Sequence, residues 1–329
     1  MILNKLVHSA PTLFDLLALT ICIGALSCRL WVLHVTGNMP HDRDEGLLLA
    51  NVWKLLGVLA AMLVLSSSIL LLTRTAEMSG LPLTAGFSAV PRVLLKSHYG
   101  RVWLLRVSAV AVLCTAWLIG RGDLYARRYP ICMFIAAAVI AATRSASGHA
   151  ADAGDFSMPE ISDWLHLMAA SIWGGGLIAL SIAVLPKVWR ASGERREYIA
   201  DIAVRFSGLA GIALVTIVIT AAYNGWTEVG SFRALSETAY GKIIMVKIML
   251  LAALVIIAAS NRYISIPRII GQSESRHGNG GAIAWFIRKV GAEAVLILAL
   301  VVCTALLLHN MPAKHLSHAG HEHVHGIKK

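Results

Sequence analysis

Apolar runs about 20 residues long or longer are the strongest constraint on how this chain can fold. They cover residues 11–36, 47–73, 102–120, 129–149, 161–186, 204–226, 240–260 and 285–309. A helix that crosses a hydrocarbon core of roughly 30 Å needs about 20 apolar residues. The first run is too long for the core of a signal peptide, so we expect an uncleaved helix there. The pattern predicts an all-α polytopic membrane protein with about eight transmembrane helices.

The composition agrees with a chain surrounded by membrane lipids. Hydrophobic residues make up 57% of the chain and charged residues 14%, whereas soluble domains carry about 25% charged residues. The net charge of +11 does not indicate nucleic-acid binding, because lysine and arginine lie mostly in short loops, where they set membrane topology. The five cysteines lie in apolar segments without CxxC spacing, which favours neither a zinc site nor a disulfide framework.

The distribution of charge between loops predicts the orientation. The loops 121–128, 187–203 and 261–284 carry arginine or lysine, whereas the loop 150–160 carries three acidic residues and no lysine or arginine. Cytoplasmic loops are enriched in lysine and arginine, so eight spans would leave both termini outside. The basic segment 74–101, broken by glycine and proline, falls outside in this scheme and conflicts with it; we expect a surface helix or loop there.

The chain has the pattern of an internal 4+4 repeat. Residues 99–101 (YGR) and 240–242 (YGK) each begin an apolar run, and each is followed by a second basic residue, Arg106 and Lys247. This spacing predicts two four-helix halves, 1–150 and 151–310, followed by a histidine-rich tail, 311–329. Chance similarity between apolar helices is the alternative.

The two halves differ in one informative place. The segment FDLLAL at 14–19 parallels SDWLHL at 162–167, so that Asp15 matches Asp163 and Ala18 matches His166. In the second half, Asp163, His166 and Trp173 lie three and seven residues apart, which puts them close to one helix face. An ionisable residue inside a membrane helix predicts a functional site.

The glycine triplet 174–176 follows this segment directly. Glycine at a helix surface lets a neighbouring backbone approach closely. We therefore expect another helix to cross the fifth span at these residues.

His149 and His166 form a candidate metal site. His149 ends the fourth run and His166 begins the fifth, with a short external loop between them, so both imidazoles are expected at the same external level. Imidazole binds copper in either common oxidation state, and the thioethers of Met158 and Met168 would add ligands for Cu(I). Asp163 would orient the His166 ring or attract the cation. The alternatives are hydrogen-bonded histidines at helix ends, packed methionines and a helix-capping aspartate.

The C-terminal tail has the composition of a metal-binding segment. Its candidate ligands are His309, Met311, His315, His318, His321, His323 and His325. Such a tail would bind copper, nickel or zinc and raise the metal concentration outside the membrane; a solubilising tail is the alternative.

Charged residues within the apolar runs are few. Arg29 and Lys247 lie towards span ends, where they can extend to the headgroups. Glu293 has no obvious partner in sequence, and we expect it to pair with Arg144 or Lys247, or to be protonated.

Motifs of ATP-driven pumps and serine hydrolases do not occur. The chain has no P-loop or GxSxG sequence, and its HExxH match, residues 321–325, lies in the histidine-rich tail, so the chain is not expected to be an enzyme.

The order and spacing of several motifs resemble the copper resistance protein D family over about residues 98–312. They are SGHA at 147–150, WLH at 164–166 with WGG at 173–175, RFS at 205–207, YNGW at 223–226, TAYGK at 238–242, Lys247 and NRY at 261–263. The resemblance implies a bacterial inner-membrane protein that moves copper ions inward from a periplasmic copper-binding protein. The family's histidines fall on His149 and His166.

Three functions remain open at this point. The first is a copper permease or channel with its termini in the periplasm. The second is a redox protein in which the two imidazoles ligate a b-type haem. The third is a sensor or assembly factor that holds copper without transporting it.

Overall fold

The computed structural model describes residues 2–33, 42–148, 154–183, 194–229, 236–265, 267–268 and 281–307. Over these ranges the chain is helical and contains no strand. The all-α prediction is confirmed.

The first half consists of long helices with a group of short ones between them. They are α1 (Ile2–Ser27, continued by a π turn, Cys28–Val32), α2 (Asp42–Ser79), α3 (Leu83–Gly86), a 3₁₀ turn (Phe87–Ala89), α4 (Val90–Lys96), α5 (His98–Gly120) and α6 (Arg128–Ser145). The broken segment predicted to stay at the surface ends α2 and forms α3, the 3₁₀ turn and α4. These three are too short to cross a membrane.

The second half begins with a helix that is interrupted in its middle. The elements are α7 (Met158–Ala170), a π turn (Ser171–Gly175), α8 (Gly176–Ala183), α9 (Glu194–Val229), α10 (Ala239–Ser260, continued by a π turn, Asn261–Ser265) and α11 (Gly281–Leu307). The π turn between α7 and α8 begins five residues after His166. Single π turns within helices often occur at functional sites.

Six helices in the described part of the chain are long and apolar enough to cross a membrane. They are Ala10–Val32, Gly46–Ser79, His98–Gly120, Met158–Ala183, Asp201–Thr227 and Gly241–Ser265. The other two predicted spans fall on α6 and α11, which are helical. The chain is therefore a multi-helix membrane protein, and the count of eight and the 4+4 repeat remain predictions.

The two halves do share one local structure. Ser97 caps the start of α5 by accepting a hydrogen bond from the Gly100 amide at 2.9 Å, and Thr238 caps α10 by accepting one from the Gly241 amide at 2.9 Å. The YGR and YGK motifs thus lie in equivalent first turns.

Helix α1 is the centre of the bundle. In an 18-residue window of its membrane span 78% of the residues are buried, against 6% in the corresponding window of the α10 span. Leu19, Ile23 and Leu26 are fully buried, and α1 packs against α2, α6, α8 and α11. Apart from Asp15 and a few hydroxyl groups, the membrane span of α1 is apolar on all sides up to Ser27, as expected of a helix in such a position.

The glycine triplet makes the contact between α1 and the fifth span. A Cβ atom on Gly175 would lie 1.9 Å from the carbonyl oxygen of Thr20 in α1, and one on Gly174 would lie 2.9 Å from Ile297 in α11. On Gly176 it would lie 2.8 Å from Phe206 in α9. The predicted close approach of a neighbouring backbone is confirmed.

Candidate metal site and its cavity

A cavity of about 1690 Å³ is lined by residues from both predicted halves, 1–150 and 151–310. Its wall is formed by the C-terminal parts of α2, α6, α9 and α11, by the N-terminal parts of α5 and α10, and by residues of α1 and α7. This is the end of the bundle that carries the acidic loop 150–160 and that the charge pattern places outside. Most of the wall is apolar, so its few polar side chains define what the cavity can bind.

The predicted helix face of α7 lines this cavity. Asp163, His166 and Trp173 all contribute to its wall. The spacings of three and seven residues therefore identified a real face, and the π turn that contains Trp173 continues it towards the glycine triplet.

The protonation pattern of His166 follows from its hydrogen bonds. Its Nδ1 lies 2.9 Å from Oγ1 of Thr220 in α9. The Thr220 hydroxyl lies 2.7 Å from the carbonyl oxygen of Thr216 and 3.2 Å from that of Ile217, so its one proton has a carbonyl acceptor, and we assign the tautomer in which Oγ1 accepts from Nδ1–H. The neutral ring then carries its lone pair on Nε2. A histidine held through Nδ1–H in this way has the arrangement of a metal ligand.

Asp163 bonds a different residue from the one expected. Its Oδ2 accepts a hydrogen bond from the Ser145 hydroxyl at 2.7 Å, whereas the partner of the His166 Nδ1 is Thr220. Asp163 therefore fastens α7 to the end of α6, and its carboxylate lines the same cavity as the imidazole.

The two candidate methionines lie apart from each other. Met158 begins α7 and its side chain is 71% exposed. Met168 packs against the hydrophobic core around α1 and is not among the described residues that line the cavity. Met168 therefore has the environment of a packed core methionine, which was the alternative to a metal ligand.

The remaining predicted ligands lie outside the described residues. They are His149, His309, Met311, His315, His318, His321, His323 and His325. Within the described ranges, no group of three His, Cys, Asp or Glu side chains is placed to hold a metal ion. The described part of the chain thus contributes His166, with Asp163 nearby on the same cavity wall.

Sequence reasoning missed a buried charge cluster around Asp15. This carboxylate is fully buried and accepts hydrogen bonds from Ser66 Oγ at 2.7 Å, from Arg106 Nη2, and from Arg144 Nη1 at 3.0 Å. Arg106 and Arg144 also line the cavity. The available signal was the parallel between Asp15 and Asp163 and the presence of two arginines within apolar runs.

Glu293 is not the partner of Arg144. It is buried and its Oε1 accepts a hydrogen bond from Asn261 Nδ2 at 2.9 Å. The expected pairing with Arg144 is wrong, because that guanidinium binds Asp15.

His98, to which the sequence assigned no role, lies at the mouth of the cavity. Its Nε2 is 2.8 Å from Oδ1 of Asp155 in the acidic loop, and both side chains are exposed. No local pattern connects two residues so far apart in the chain.

Two family models match this chain. Residues 9–157 match the N-terminal domain described as copper resistance protein D-like, and residues 200–307 match copper resistance protein D. The chain belongs to the copper resistance protein D family. The matched ranges include most of α1, all of α2 to α6, and most of α9 to α11, whereas α7, the π turn and α8 lie between them.

Two relatives connect the family to copper and to the inner membrane. The copper transport protein CutJ of Bacillus subtilis is 34% identical over 113 residues, which are 34% of this chain and 20% of that protein. The inner membrane protein YebZ of Escherichia coli is 25% identical over 221 residues, which are 66% of this chain and 70% of that protein. The match thus spans only a fifth of the length of CutJ. No solved structure matches this chain.

Proposed function

We propose that this protein moves copper ions across the bacterial inner membrane, inward from the periplasm, with His166 as a copper ligand inside the cavity. One observation carries the proposal: the Nδ1 of His166 lies 2.9 Å from the Thr220 hydroxyl oxygen, which leaves Nε2 as the nitrogen for a metal in a cavity at the predicted external end of the bundle.

The chemistry of the site suits an ion that must be bound and then released. Imidazole binds both Cu(I) and Cu(II), and the Asp163 carboxylate on the same wall favours a cation. A permeating ion needs sites that bind well enough for entry and weakly enough for release. One imidazole with a neighbouring carboxylate is closer to this requirement than a closed site with four ligands.

The rest of the proposed path depends on residues outside the described ranges. His149 would supply the second imidazole at the external end, and the tail histidines would capture copper from a periplasmic copper-binding protein. His309 and Met311 would link the tail to the cavity, and both termini would lie in the periplasm. Met158 and Met168 would at most add transient sulfur contacts, since the first is exposed and the second packs in the core.

The test is the copper content of the purified full-length chain in which the five tail histidines are replaced by asparagine. We expect this protein to retain copper in its membrane domain, and His166→Ala or His149→Ala to reduce the copper to background. His98→Ala is the matched control, because it removes an imidazole from the same cavity lining and should leave the copper bound. Copper that survives His166→Ala would refute the site, and a visible haem absorption band would favour the redox protein instead.

A second prediction concerns the hydrogen bond that holds the imidazole. Thr220→Val removes the acceptor of Nδ1–H without removing the ring, and the loss of such an outer contact typically lowers metal affinity by about 10–100-fold. Copper titration of the purified protein measures this change. Thr216→Val is the control, because Thr216 lies one turn away and donates its hydroxyl proton to the carbonyl oxygen of Ile212 in an exposed hydrogen bond. Equal affinities in the two variants would show that Thr220 does not position the ligand.

A further inference from the structure

The positive and negative charges in the buried cluster around Asp15 do not cancel. One carboxylate receives two guanidinium groups, with Arg106 on Oδ1 and Arg144 on Oδ2. Ser66 and Ser67 add hydroxyl groups to the cluster and no charge. The cluster therefore carries one positive charge more than its own carboxylate can neutralise.

The excess charge borders the cavity. The side chain of Arg106 is 7% exposed and that of Arg144 is 16% exposed, and both line the cavity wall. An ionised group in such an apolar setting is costly unless a counter-charge approaches it.

The other charged side chains of the lining do not supply that counter-charge. Glu77 pairs with Arg74 at 3.0 Å, and Asp163 accepts its hydrogen bond from Ser145. Lys247 adds a further positive charge to the wall. Within the described residues, the lining together with Asp15 holds four basic groups and three carboxylates.

The guanidinium groups retain donors for a ligand. A guanidinium presents five N–H donors in a fork that matches the oxygens of carboxylate and phosphate groups. The hydrogen bonds of Arg144 to Asp15 use Nη1, and those of Arg106 to Asp15 and Ser67 use Nη2 and Nε.

We propose that the Arg106–Arg144 wall of the cavity binds an oxyanion, a carboxylate or phosphate group, within the same cavity as His166. The anion completes the charge balance of the Asp15 cluster and makes the cavity less repulsive to an entering cation. The group has two possible sources: a soluble anion from the periplasm, or the phosphate of an anionic phospholipid whose chains occupy the apolar part of the cavity. The site requires no copper, so it can be tested whether or not the protein moves copper.

The first arm of the experiment uses inorganic phosphate on the full-length, lipid-stripped protein in a non-ionic detergent. At about ten times its dissociation constant, phosphate should raise the melting temperature by about 2–4 °C above chloride of the same ionic strength. Arg144→Gln should abolish this rise, and it should still fold, because it leaves the neutral Asp15–Arg106 pair intact. Arg74→Gln is the matched control and should respond as the wild type does, since Arg74 pairs with Glu77 and is exposed.

The second arm identifies a lipid source. The protein is reconstituted in phosphatidylcholine with a minor fraction of phosphatidylglycerol, extracted again, and its bound lipid is measured by mass spectrometry. Phosphatidylglycerol retained by the wild type and lost in Arg144→Gln would assign the site to a lipid headgroup, whereas a response to phosphate alone would assign it to a soluble anion. Either result supports the proposal.

The proposal is overturned if the wild type responds to neither probe, or if Arg144→Gln responds as strongly as the wild type. If Arg144→Gln does not fold, Arg144→Lys replaces it. That variant keeps the charge and loses the fork, so its affinity for the probe should fall several-fold; an unchanged affinity would again overturn the proposal.

Discussion

Asp15→Ala is expected to destabilise the membrane domain by about 3–5 kcal/mol. Removing one partner of a buried ion pair leaves an uncompensated charge, and losses of this size are typical. Here the side chain is fully buried, and its loss removes the counter-charge of two guanidinium groups, those of Arg106 and Arg144. Unfolding of the purified protein by a denaturing detergent measures the difference in free energy between variant and wild type.

Asp201→Ala is the matched control for this prediction. Asp201 also accepts from an arginine, Arg205, at 2.8 Å, but its side chain is 49% exposed and the pair lies within one helix. Pairs of this kind contribute about 0.3–0.5 kcal/mol, so the control should stay close to the wild type. If Asp15→Ala cost no more than Asp201→Ala, water or another anion would have to neutralise both arginines without Asp15.

Local periodicity accounts for what the sequence predicted of the site. Spacings of three and seven residues put Asp163, His166 and Trp173 on one face of a helix whatever that helix packs against, and all three line the cavity. The crossing at the glycine triplet was predictable for a related reason, because three consecutive glycines leave a helix surface that a neighbouring backbone can approach closely.

The charge cluster was beyond local reasoning. Asp15 meets Arg106 and Arg144 across separations of 91 and 129 residues, and no periodicity reports contacts of that range. The parallel between Asp15 and Asp163 was visible in the sequence, but their partners differ: two arginines for the first and the Ser145 hydroxyl for the second.

Whether the Arg29 side chain reaches the headgroups or stays buried depends on the tertiary structure. Its position near a span end predicted a side chain extended to the headgroups. Instead it is buried, and its Nη2 donates to the carbonyl oxygens of Leu124 and Tyr125, in the connection between α5 and α6. The folded connection supplies carbonyl groups in place of water, so the guanidinium stays within the protein.

Gly175→Ala is expected to cost about 3 kcal/mol or more in stability. Its Cβ would lie 1.9 Å from the carbonyl oxygen and 2.6 Å from the carbonyl carbon of Thr20, and backbone atoms cannot rotate away as a side chain can. Helix α1 or the fifth span would have to move, and overpacking of a core typically costs about 1–3 kcal/mol even when side chains can adjust. The contact is reciprocal, since a Cβ on Gly24 of α1 would lie 2.0 Å from the carbonyl carbon of Gly175. Detergent-induced unfolding again measures the effect.

Gly208→Ala is the control for Gly175→Ala. It shows the general effect of replacing a helical glycine, without the contact between α1 and the fifth span. A Cβ on Gly208 in α9 would meet nothing within 4 Å, so this variant should be neutral or more stable by about 0.5–1 kcal/mol, the ordinary gain of alanine over glycine in a helix. Because Thr20 and Gly174 both line the cavity that contains His166, a shift of α1 should also lower copper binding in Gly175→Ala and leave it unchanged in Gly208→Ala. If both glycine variants were equally stable, α1 and the fifth span would not be in backbone contact, and the cavity wall would have to be built differently.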